Sequence, residues 1–211
     1  MKSPKDVRIA GKKTVGDWDT CRAKLDGSGD PESWKAAYKD FFKARLQSRY
    51  FGPIGALQES RELAGEGFSI AAIQCSLIEF FGATIEGKSY RFRRKGDPAL
   101  GTDEYSDSKD MFVRFLTTTT PFSKVFDKSL ALDFYEGVRC GLLHEARTKK
   151  GWRIKAGTRA GPILDVKAKI VYRDGMQRAF EEFVDWYGKT LSTDKALQRA
   201  FLRKFDGLCM D

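Results

Sequence analysis

Phe68-Ser69-Ile70-Ala71-Ala72-Ile73-Gln74-Cys75-Ser76-Leu77-Ile78-Glu79-Phe80-Phe81 is apolar almost throughout, and Gly82 closes it. A stretch this long with so little polar surface predicts a central helix buried on most sides. Helical spacing continues on either side of it. Asp30-Pro31 opens a helix carrying Trp34, Ala37, Tyr38, Phe41, Phe42 and Leu46, which Gly52-Pro53 is expected to break after Tyr50. A short helical segment follows at Leu57 to Leu63. Further helices are predicted at Ser108 to Thr119 before Pro121, at about Lys128 to Arg147, at Arg173 to Leu191 and at about Asp194 to Phe205. Tyr90 to Asp107, polar and rich in Gly and Pro, reads as a loop.

Two segments break the helical pattern. Gly151 to Lys155 and Leu164 to Tyr172 alternate polar and apolar residues, predicting a small β-hairpin over about 151–173. Residues 1–30 mix Gly, Lys and Asp without a period and read as a loosely ordered arm. The expected architecture is therefore mainly α: the arm, then a single domain over 31–211 built as an antiparallel helical bundle with a late hairpin.

With 41% hydrophobic and 32% charged residues, the composition is that of an ordinary globular chain. No apolar run approaches the roughly 18 residues of a membrane span, and Met1 to Lys13 lacks the apolar stretch of a signal peptide. The expected location is cytoplasmic, with no membrane partner. Cys21, Cys75, Cys140 and Cys209 are scattered, no Cys-x-x-Cys pair occurs and the chain has one histidine, so neither a metal nor another cofactor is expected. A net charge of +9 points to an anionic partner, which lysines and arginines bind by displacing counterions. The cations fall in two clusters. Arg91, Arg93, Arg94 and Lys95 interleave with Tyr90 and Phe92, and Arg147, Lys149, Lys150 and Arg153 surround Trp152. Either cluster could be a solvated face, or a surface on which bases stack among phosphate contacts.

The second cluster follows the helix that holds the only histidine, in Asp133-Phe134-Tyr135-Glu136-Gly137-Val138-Arg139-Cys140-Gly141-Leu142-Leu143-His144-Glu145-Ala146-Arg147. At about 100° per residue, Leu130, Phe134, Val138 and Leu142 form one core-facing stripe, and Arg139 and His144 flank it about 140° apart. Cys140 and Leu143 put apolar atoms on the outer arc beside Asp133 and Glu136. Gly137 and Gly141 form a strip that another helix could approach closely. An imidazole can take a proton from a ribose 2′-hydroxyl or give one to a leaving 5′-oxygen, and a guanidinium can hold the phosphate as negative charge builds. The plainer reading makes His144 a helix-end residue and Arg139 an ion-pair partner of Glu136 or Glu145.

Arg139, four intervening residues and His144 near the end of a late helix resemble the signature of the HEPN superfamily. From Phe134 to Arg147 and on through Trp152-Arg153-Ile154 the segment resembles the helix and strand of bacterial defence-associated members. The likeness covers about residues 130–155, and elsewhere it extends only to helical layout. It implies a homodimer in which two motifs form one RNase site with Arg139 and His144 catalytic, leaving 2′,3′-cyclic phosphate and 5′-hydroxyl ends without a metal. Glu136, Cys140, Glu145 and Arg147 would support the site, and Lys149, Lys150, Trp152 and Arg153 would bind RNA. Phage defence or toxin-type RNA degradation, with a neutralising or activating protein partner, is the implied setting. Two positions depart from the family: Cys140 stands where a polar residue is common, and Ala146 where the adenylylated toxins have tyrosine.

Two alternatives compete. Gly82-Ala83-Thr84-Ile85-Glu86-Gly87-Lys88-Ser89 fits the phosphate-binding loop of P-loop nucleotidases by letter, but that mechanism needs a strand before and a helix after, and neither flank reads so. The other is a non-catalytic helical module that binds RNA or protein.

Overall fold

The structure is a computed structural model that describes residues 4–28, 30–60 and 64–210. It is mainly helical. Its helices are α1 (Val15–Ser28), α2 (31–59), α3 (Glu66–Glu86), α4 (Ser108–Thr118), α5 (128–145), α6 (Arg173–Leu191) and α7 (Lys195–Gly207). Short strands are β1 (Arg8–Ala10), β2 (Lys13–Thr14), β3 (Ser89–Tyr90), β4 (Glu104–Tyr105), β5 (Arg153–Lys155), β6 (Leu164–Asp165) and β7 (Ile170–Tyr172).

The chain divides into two compact units, each with its own aromatic core. The first comprises Met1–Ala56, Ala83–Ser106 and Val184–Asp211; the second comprises Leu57–Gly82 and Asp107–Phe183. In the first, Trp18 meets the rings of Phe41, Phe201 and Phe205, and Phe42 meets Tyr187. In the second, Phe81 near the end of α3 packs on Phe115, Phe180 and Phe183, as a central helix should. Helical periodicity marks a buried face but not which core that face enters.

Most of the supposed arm is ordered. β1 and β2 pair antiparallel, and α1 follows them directly. The helix is held by Trp18, whose ring is buried and whose indole N–H donates to Asp206 at 2.8 Å, and by an Arg22–Asp206 ion pair at 3.2 Å. Residues 1–3 and Gly29 of the arm lie outside the described residues.

Gly52-Pro53 does not end the helix predicted to open at Asp30-Pro31. α2 runs through it because the turn Gln47–Phe51 is π-helical, so Gly52 N–H donates to the carbonyl of Gln47. That wider turn takes up the clash a proline ring makes with the carbonyl four residues earlier. The segment predicted at 57–63 is the last turn of α2 as far as Glu59; residues 61–63 lie outside the described residues.

The candidate phosphate loop is not a loop. α3 continues through Gly82 to Glu86, and Gly87 caps it with φ +67°. Lys88 N–H donates to the Ala83 carbonyl at 2.9 Å, the Lys88 ammonium pairs with Glu86 at 3.3 Å, and a Cβ on Gly82 would lie 3.0 Å from the Met111 sulfur. The backbone donors that would cradle phosphate belong to a helix end. Among the described residues α3 is the one helix long and apolar enough to cross a membrane by length and composition, and 56% of its most apolar window is buried in the protein.

The late β element has three strands. β7 lies in the centre, antiparallel to β6 and parallel to β5, with Ile154 opposite Val171. The hairpin is thus the 164–172 turn alone, and β5 joins it from the far side.

Candidate active site

Asp127 opens α5 by accepting the Leu130 N–H at 2.8 Å. Phe134 and Val138 then bury the stripe, with Phe134 against Phe112 and Phe126. Tyr135–Arg139 form a single π-helical turn, closed by the Cys140 N–H on the Tyr135 carbonyl. Turns of this kind recur at functional sites. The last turn, Cys140–Glu145, ends on Ala146 in the left-handed conformation (φ 52°).

From Ala146 the chain folds back along α5. Lys149 N–H donates to the Gly137 carbonyl at 2.7 Å, and Trp152 lies over Gly137 so closely that a Cβ there would be 2.4 Å from its ring. A Cβ on Gly141 would be 2.5 Å from the Arg147 carbonyl. The glycine strip therefore receives the chain's own return segment rather than a second helix. Trp152 is 2% exposed, edge-on to Phe134, and its indole N–H donates to Asp133 at 3.0 Å, so it is a core residue and not a platform for bases.

Asp133 organises this corner. Burial would raise its carboxyl, but the hydrogen bonds from Lys169 and Trp152, with the charges of Lys169 and Lys150, outweigh burial and hold it below its ordinary value. Two of the three cations assigned to RNA already have carboxylate partners. Lys150 bonds Glu136, lowering that carboxyl and raising its own ammonium, and Lys149 bonds Glu145 at 2.9 Å, which lowers Glu145. Arg153 is exposed and bonds the Ala168 carbonyl at 3.2 Å; Arg147 is exposed with no ion pair among the described residues.

Arg139 has neither of the partners read from its helix. Its guanidinium lies 3.8 Å from Glu79 on α3 and 5.2 Å from the centre of the Tyr135 ring, with the side chain 21% exposed. Glu79 also accepts the Ser108 hydroxyl at 2.7 Å. Cys75, buried nearby, has its thiol pushed up to about 12 by burial, against the pull of the Arg139 charge. Charge and a ring face thus hold Arg139, while its N–H donors bond to no acceptor among the described residues. His144, on the exposed final turn, makes no hydrogen bond or ion pair among them either. Cys140 is half-buried and Leu143 is 62% exposed.

Arg139 and His144 share a helix but do not converge. Five residues separate them by about 7.5 Å along the axis and about 140° around it. Glu79, Ser108 and Tyr135 were not foreseen as part of the site. One signal was available for Glu79: it is the only charge inside the Phe68–Phe81 apolar run, and a charge placed there needs a partner.

Comparisons with protein-family models, with curated proteins and with solved structures find no match to this chain.

Proposed function

We propose that the protein is a HEPN-type, metal-independent endoribonuclease acting in phage defence or as an RNA-degrading toxin. Arg139 grips the scissile phosphate, and His144 moves the proton between the 2′-hydroxyl and the leaving 5′-oxygen. The observation that carries this reading is the pair itself: a guanidinium held by Glu79 and Tyr135 with its donors uncommitted, five residues before an exposed, uncommitted imidazole. In the reaction the 2′-oxygen loses its proton to one imidazole and bonds to phosphorus. The bond from phosphorus to the 5′-oxygen breaks, and that oxygen takes a proton from a second imidazolium. A second copy supplies the second imidazole, with Leu143 and Cys140 at the two-fold contact.

One observation favours a second reading. Because Arg139 and His144 diverge on one helix, a monomer would bind RNA without cutting it. The test is purified protein with total RNA in EDTA, beside Arg139→Ala and His144→Ala, with light scattering on each. A dimer leaving 2′,3′-cyclic phosphate ends, with both variants silent and folded, is the expected result. A monomer that shifts RNA intact overturns it.

A further inference from the structure

The first basic cluster is built differently from the second, and its rings are open. Tyr90 is 49% and Phe92 66% exposed, while Arg91 between them is turned inward. Its guanidinium bonds Glu104 at 2.7 Å and the carbonyls of Pro98 and Ala99 at 3.2 and 2.7 Å. The backbone is tied as well: Arg91 N–H donates to Tyr105, Ser89 N–H to Asp103, and Arg94 N–H to the Asp97 carboxylate at 2.6 Å, with Gly96 completing the turn at φ +97°. The bond from the Gly101 N–H, then that from Arg91, holds the Glu104 carboxyl below its ordinary value. Arg91 therefore acts as an internal staple that fixes this loop before any ligand arrives.

What the staple presents is two rings and three cations. Tyr90 and Phe92 are exposed on either side of the inward Arg91, so both rings are open to solvent. Tyr105 sets the Tyr90 ring from 5.5 Å at 71°, and the Arg94 guanidinium lies 6.0 Å from the centre of the Phe92 ring. Arg93, Arg94 and Lys95 are exposed and have no carboxylate partner among the described residues. Beside Tyr90 opens a cavity of about 460 Å³ whose cations, Arg91 and Arg203, are neutralised by Glu104 and Asp103, so it suits an uncharged base better than a phosphate.

We infer that the 90–95 loop is a binding surface for single-stranded nucleic acid, stacking unpaired bases on Tyr90 and Phe92 and drawing the backbone with Arg93, Arg94 and Lys95. Two isolated rings among three cations bury too little apolar area to seat in a bilayer, and a duplex offers no unpaired base to stack. The surface lies in the first compact unit and does not depend on the Arg139 and His144 chemistry.

The test is fluorescence anisotropy with a labelled oligothymidylate of about 12 nucleotides. That strand lacks the 2′-hydroxyl and cannot be cut by the proposed nuclease, so a missing nuclease activity and a missing binding surface are told apart. Phe92→Ala and Tyr90→Ala are each expected to weaken binding roughly 5- to 150-fold. Replacing Arg93, Arg94 and Lys95 together by Ala is expected to lower the slope of log affinity against log salt by about 2. All these side chains are exposed, so melting curves should not move. Four results would overturn the inference: no binding at low salt; binding unchanged in Phe92→Ala; a duplex of equal length bound to the exclusion of the single strand; or capture by anionic phosphatidylglycerol vesicles with no affinity for the oligonucleotide.

Discussion

Gly137→Ala reverses sign according to what lies over the glycine. At a helix position open to solvent, or to a partner that leaves space, alanine should add about 1 kcal/mol of stability. Here the new Cβ would meet Cδ1 of Trp152 at 2.4 Å and its Nε1 at 3.0 Å, whereas carbon atoms rest at about 3.5–4.0 Å. Ring and return segment must therefore retreat by more than 1 Å. Overpacking of this kind costs about 1–3 kcal/mol. The same retreat stretches the 3.0 Å hydrogen bond from Trp152 to the Asp133 carboxylate, a bond to a charged group worth about 1.5–3 kcal/mol. After the gain in helix propensity, the net expectation is a loss of about 1.5–5 kcal/mol, and for a chain of this size each kcal/mol lowers Tm by roughly 2–4 °C. Urea unfolding followed by circular dichroism and tryptophan fluorescence reads it. A Gly137→Ala protein as stable as the parent, or more so, would refute the packing of Trp152 on α5 and restore the glycine strip to an intermolecular role.

Two further outcomes follow from the surroundings of the site. Because the folded Asp133 carboxyl lies below its ordinary value, its charge stabilises the fold above the unfolded value of about 3.9, and that contribution is lost as pH falls through the lower folded value. The stability gap between the parent and Asp133→Asn should be full near neutrality and shrink below about pH 4; a gap constant from neutrality into strong acid would contradict this. Cys75, buried and pushed up to about 12, should resist a thiol reagent in the native protein. Cys75→Ser then lowers the thiol count by one only after unfolding, and a fast native reaction lost in that variant would contradict the burial.

The parts of the fold legible in the sequence are those with strong local patterns. Phe68–Phe81 could be read because a run that apolar has few other fates, and it lies inside Glu66–Glu86. α1 was not legible: Trp18 and Leu25 are its buried apolar residues, and what holds it are Phe41, Phe201, Phe205 and Asp206, remote in sequence. Pro53 misled because a π-helical turn absorbs it, and the strands at 153 and 170 misled because local alternation does not say whether a pair is parallel. In the site, the placing of Arg139 and His144 on one late helix was legible from spacing. Trp152 was misread, since an aromatic among cations looks the same whether it faces a base or fills the slot left by a glycine. The partner of Arg139 was missed because Glu79 comes from another helix, sixty residues earlier in the chain.

The nuclease reading meets its most direct test at the ribose. A short RNA containing a site the protein cuts is compared with the same RNA carrying a single 2′-deoxy nucleotide on the 5′ side of that bond, both in EDTA. If His144 draws its proton from the 2′-hydroxyl, the all-ribose strand yields a 2′,3′-cyclic phosphate and the substituted strand stays intact at that bond. Cleavage that continues at the deoxy position, or that occurs only when magnesium is restored, would contradict the account.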